Sequence, residues 1–73
     1  DGNNNISGKN IAKFRKELNI SQRELADRLQ LTGLDIDKNA IQRIESGKRF
    51  VTDVELVYFS EVLDKTLNEL LFC

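Results

Sequence analysis

Apolar residues recur along this chain at intervals of three and four, not in the strict alternation of a half-buried strand. Ile11, Phe14 and Leu18 fall on one face and predict a first helix over about 8–18. Leu25, Ala26 and Leu29 repeat the pattern, as do Ala40, Ile41 and Ile44, then Leu56, Phe59 and Leu63, and finally Leu67, Leu70 and Leu71. Narrow stripes of this kind belong to helices that bury one side and wet the other. The expected fold is all-α, a compact bundle of five short helices.

Start and stop signals sit where this spacing requires them. Ser21 with Glu24, Thr52 with Glu55 and Thr66 with Glu69 each have capping-box spacing, in which a hydroxyl accepts from the amide three residues on and the glutamate reaches back. Asp37 is placed to cap the third helix. Gly33 and Gly47 are placed to end the second and third, because glycine enters the left-handed conformation without a steric penalty. Asn19 can do the same after the first helix, leaving Ile20 to pack before the next cap. Residues 1–7, DGNNNIS, show no periodicity and are expected to form a flexible lead-in to one domain at 8–73. They contain no Lys or Arg, which argues against an arm reaching into a minor groove.

With 73 residues there is room for one small core. Histidine is absent and the sole cysteine is Cys73, so no Cys/His cluster can bind zinc and no Cys/His pair can act as a nucleophile. No Gly-rich phosphate loop accompanies the carboxylates. Neither enzymatic activity nor a metal or other cofactor is expected. A lone cysteine argues against a disulfide framework and suits a reducing cytoplasm. No apolar run is long enough to span a membrane.

The formal net charge of -1 conceals a polarised chain. Residues 9–49 hold ten basic and six acidic side chains, a local charge of +4, whereas residues 50–73 hold one basic and five acidic, or -4; Asp1 completes the total. The basic half contains the second and third helices. Once the third buries Ala40, Ile41 and Ile44, the side chains left to water are Lys38, Asn39, Gln42, Arg43 and Ser46. Lysine and arginine donate to the guanine O6 and N7 acceptors, and asparagine and glutamine match the donor and acceptor of adenine. Such a face suits base-edge readout in a major groove. On composition alone, a solvated helix surface is the plainer account.

The combination of residues goes further than composition. Ile11, Phe14, Arg15 and Leu18, then Ser21, Gln22, Glu24, Leu25 and Ala26, then Ile41, Arg43, Ile44, Glu45, Gly47 and Lys48, with Leu56, Leu63, Leu67 and Leu70, resemble the Cro and phage-repressor family of helix-turn-helix regulators, also called the XRE type. The likeness covers roughly residues 8–71 and implies a lambda-repressor-like bundle. It also implies a sequence-specific regulator of transcription, repressor-like, binding double-stranded DNA as a homodimer on a palindromic operator. By the same resemblance, Lys38, Asn39, Gln42 and Arg43 face bases, Gln22, Arg23, Lys48 and Arg49 meet phosphates, and Arg15 pairs with Glu45 to tie the first helix to the third.

Two features depart from the pattern. Between Leu31 and Ile41 the chain runs TGLDIDKNA, about five residues more than compact members of the family have. Leu34 or Ile36 should fold back over the core edge along 32–37; alternatively the two mark a partner surface. Helix four is apolar around more of its circumference than a small domain covers. Val54, Val57 and Tyr58, with Leu71 and Phe72 at the chain's end, therefore form a candidate dimer surface, packing against helix five being the plainer alternative. The abrupt apolar end is consistent with a further domain or with a second copy. Lys65 stands where relatives have a small apolar residue, so a looser connection before helix five is expected. A different class of function, a protein-interaction module such as an antitoxin or anti-repressor, would also account for the excess apolar surface and the low net charge.

Overall fold

Five helices follow one another: α1 (Asn3–Glu17), α2 (Gln22–Thr32), α3 (Lys38–Glu45), α4 (Asp53–Leu63) and α5 (Leu67–Phe72). They are described by a computed structural model covering residues 3–72, with side chains from residue 7 onward. No strand occurs among these residues, and none of the helices is long and apolar enough to cross a membrane. Cys73 and the first two residues of the expected lead-in lie outside the described residues.

Local chemistry sets most of the helix ends. Ser21 Oγ accepts from the Glu24 amide at 3.0 Å, and Asp37 Oδ1 accepts from the Ala40 amide at 2.8 Å. Thr52 with Glu55 and Thr66 with Glu69 form both halves of their capping boxes. Gly33 and Gly47 take φ of 112° and 82°, conformations that stop α2 and close the turn after α3. Asn19 and Asp64 enter the same region at φ of 59° and 56°.

α1 begins at Asn3 rather than near Gly8. Ser7 and Gly8 are buried, so the helix is already packed where the spacing predicts its start. Leu18, expected inward, is 43% exposed. α1 stops at Glu17, and the turn through Asn19 sends Ile20 into the core in its place.

The core is one cluster drawn from all five helices and the α2–α3 turn. Ile11, Leu25, Leu29, Ile41, Phe59 and Leu70 are each 0% exposed. α1 packs against α3, α4 and α5, and α2 packs against α3 and α4. α5 is secured by a polar contact as well: buried Asn10 donates through Nδ2 to the Leu70 carbonyl at 2.8 Å. The connection before α5 is tied down rather than loose. The Lys65 amide donates to the Ser60 carbonyl at 3.0 Å, Ser60 Oγ donates back to the Lys65 carbonyl, and Lys65 Nζ lies 4.9 Å from the centre of the Phe14 ring.

Glu55 has a second partner. Its carboxylate receives both Arg49 Nη1 at 3.2 Å and Arg49 Nη2 at 2.8 Å. Burial raises the Glu55 carboxyl, but the bonds from Arg49 and Thr52 outweigh it and hold the group below the ordinary glutamate value. Glu69 is lowered chiefly by the Thr66 amide. A carboxyl lowered by folding stabilises the protein above its unfolded pKa, and that stability is lost as pH falls through the folded one. The melting temperature is therefore expected to fall more steeply below pH 4.5 in the parent than in Glu55→Gln. Superimposable profiles from pH 7 to 3 would show that Glu55 contributes nothing to the acid transition.

Candidate nucleic-acid interface

α3 is only eight residues long and could not stand alone. Its apolar stripe holds it down: Ile41 is 0% and Ile44 1% exposed, and burying each stabilises by roughly 1.5 to 3 kcal/mol. α1 crosses its C-terminal end at Gly8, so close that a Cβ placed there would lie 2.2 Å from the Ile44 carbonyl oxygen.

A polar clamp holds the same end of α3. Arg15 Nε donates to Glu45 Oε2 at 2.7 Å and Arg15 Nη2 to Glu45 Oε1 at 2.9 Å, a two-pronged pair whose side chains are 11% and 7% exposed. Arg15 Nη1 donates to the Ile20 carbonyl at 2.8 Å. The bond to Glu45, opposed by burial, raises the Arg15 pKa above its ordinary value, so the guanidinium stays charged. Gln22, the first residue of α2, donates through Nε2 to Glu45 Oε1 at 3.0 Å. One carboxylate thus joins α1, α2 and α3, and it fixes the orientation of Gln22 as well as the tilt of the third helix.

The opposite face of α3 is open. Lys38, Asn39, Gln42, Arg43 and Ser46 are all exposed, since an eight-residue rod that buries positions 41 and 44 turns 38, 39, 42, 43 and 46 away. Arg23 on α2 and Lys48 beyond α3 are exposed too. The connector after α3 folds tightly back, with the Lys48 and Arg49 amides both donating to the Arg43 carbonyl, at 2.8 and 3.1 Å. Arg49 differs from its neighbour in being engaged by Glu55, with its side chain 33% exposed. Lys38, Asn39, Gln42 and Arg43 therefore share the exposed side of α3 and Lys48 is exposed just beyond it, while Gln22 and Arg49 are each held by a carboxylate.

The lengthened turn is organised. Ile36 is 4% exposed, Leu34 packs partly against the core, and Gln30 Nε2 donates to the Ile36 carbonyl at 2.9 Å. Both apolar residues serve this chain's own core. On α4 the surplus divides: Val51, Tyr58 and Val62 pack partly against the core, whereas Val54 and Val57 remain 67% and 48% exposed. Leu71 is half-buried and Phe72 is 78% exposed.

Three residues that matter for this geometry escaped the sequence reading, Gly8 at the crossing, Asn10 under α5 and Gln30 on the turn, as did the pairing of the capping Glu55 with Arg49. A signal existed for Asn10. Positions 7, 10, 11 and 14 lie on one helical face, so a small polar residue at 10 points inward and needs a partner there.

A family model described as helix-turn-helix matches residues 11–70. No curated protein and no solved structure matches the chain.

Proposed function

Because the chain belongs to the Cro and phage-repressor type of helix-turn-helix proteins, a DNA-binding regulatory family, we propose that it is a cytoplasmic repressor reading a palindromic operator as a homodimer. The observation that carries this reading is the exposed face of α3. Arg43 and Lys38 supply the donors that guanine accepts, and Asn39 and Gln42 match adenine. Gln22, Arg23 and Lys48 contact the flanking phosphates, and Arg49 adds its charge while paired with Glu55.

Pairing offsets the modest charge of a single copy. Two-fold symmetry would set the two α3 helices about one turn of DNA apart, roughly 34 Å. Val54, Val57 and Phe72 are the exposed apolar side chains that support a contact between copies, with Tyr58 and Leu71 at its edge. That same exposure favours the second reading, a protein-interaction module on this fold.

Titration of labelled duplexes separates the two. Arg43→Ala is expected to weaken binding to the selected site by about 1 to 3 kcal/mol and to relax one base position, whereas Lys48→Ala should weaken all duplexes alike and lower the salt slope by about one. Arg43→Ala with the parent's base preference would remove Arg43 from base readout. Absence of any complex with random duplex at low salt, where electrostatic binding is strongest, would favour the interaction module.

A further inference from the structure

The segment between α2 and α3 is held in one conformation by more than its two ends. The Leu34 amide donates to the Leu29 carbonyl at 3.0 Å, and the Ile36 amide donates to the Leu34 carbonyl at 3.0 Å. The second bond closes a three-residue γ-turn whose apex is Asp35. Burial of Ile36 and the Gln30 bond to its carbonyl secure the far side. Asp37, two residues on, is occupied in capping α3. Asp35 is exposed, and its carboxylate makes no hydrogen bond or ion pair among the described residues. An ordered turn thus carries an exposed carboxylate, without a partner among the described residues, three residues before Lys38 at the start of α3.

We propose that Asp35 is a specificity-determining residue: it accepts a hydrogen bond from the exocyclic amine of a cytosine at the edge of the half-site and disfavours DNA that offers no such donor. The proposal rests on α3 reading the major groove. Two residues of chain span at most about 7 Å, so Asp35 lies within that reach of the α3 N-cap, and the groove that would receive Lys38 and Asn39 is about 12 Å wide. A carboxylate can only accept. Phosphate oxygens repel it, and of the major-groove base edges only cytosine and adenine present an amine. Adenine sets its N7 acceptor beside that amine, whereas cytosine presents the amine alone, so the carboxylate selects cytosine. Because the turn is ordered before DNA arrives, little conformational freedom is lost when the contact forms.

The test is selection from a random duplex pool with the parent, Asp35→Asn and Asp35→Ala, followed by titration of each protein on the parent's selected site and on random duplex. The parent is expected to enrich cytosine at one position distinct from the one Arg43→Ala relaxes. Asp35→Asn should shift that position toward adenine, whose donor and acceptor an amide matches. Asp35→Ala should lose the preference and bind random duplex more tightly, so that the ratio of selected to random affinity falls roughly fivefold, about the worth of one hydrogen bond. Unchanged selected sites would overturn the proposal, and so would equal tightening on both duplexes, because plain repulsion does that. A lowered melting temperature in both variants would also overturn it, since Asp35 would then be holding the turn. A parent that binds no duplex would instead remove the DNA-reading function on which the proposal stands.

Discussion

Glu45→Ala is expected to destabilise the protein by about 3 kcal/mol, the lower end of what removing one partner of a buried ion pair does. The Arg15 guanidinium would keep its bond to the Ile20 carbonyl and would lose both carboxylate contacts. Urea unfolding with linear extrapolation reads the effect directly. The change should reach DNA as well, because Gln22 loses the acceptor that orients it at the start of α2. A replacement of both partners, Arg15→Met with Glu45→Leu, should recover most of the stability, since apolar pairs of similar volume replace buried ion pairs with little loss. It should not recover the Gln22 orientation. Stability and duplex affinity are thus expected to separate in the double variant, and a loss below about 1 kcal/mol for Glu45→Ala would mean that water serves Arg15 as well as Glu45 does.

Gly8→Ala sets two effects of opposite sign against each other. Within a helix, alanine is favoured over glycine by about 1 kcal/mol. The added methyl would meet the Ile44 carbonyl oxygen at 2.2 Å and its carbon at 3.2 Å, however, and both belong to backbone that cannot rotate aside. α1 and α3 must separate, opening the core around Ile11, Ile41 and Ile44. Overpacking of this kind costs about 1 to 3 kcal/mol, and a backbone clash lies at the upper end. Packing therefore wins, and Gly8→Ala should be less stable than the parent by about 2 kcal/mol with its largest amide shifts along α3. A variant as stable as the parent would mean that α1 does not approach α3 as closely as this.

Where chain chemistry acts over three or four residues, sequence and structure agree. Ser21, Asp37, Thr52 and Thr66 cap the helices they precede, and Gly33 and Gly47 end theirs, because a cap bonds only to amides or carbonyls within one turn. The stripes of Leu25, Ala26 and Leu29, and of Leu56, Phe59 and Leu63, are buried for an equally local reason. Leu18 shows where this logic stops: the 3.6-residue period is real, but α1 ends one residue earlier and the period no longer applies.

By itself, then, the sequence determined the helical class, the order and ends of α2 to α4, the polarised charge and the polar character of α3's outer face. All of these follow from spacing and residue type. Only the tertiary structure decided that Gly8 is the crossing point, that Gln22 joins Arg15 at Glu45, that Arg49 is paired with Glu55, and that the Asp35 carboxylate has no partner among the described residues. Those facts depend on which groups come together across 6 to 36 positions of chain, Arg49 with Glu55 at the near end and Gly8 with the Ile44 backbone at the far one. Helical periodicity says which side of a rod is inward, but the distance and angle between two rods come from how their side chains interlock.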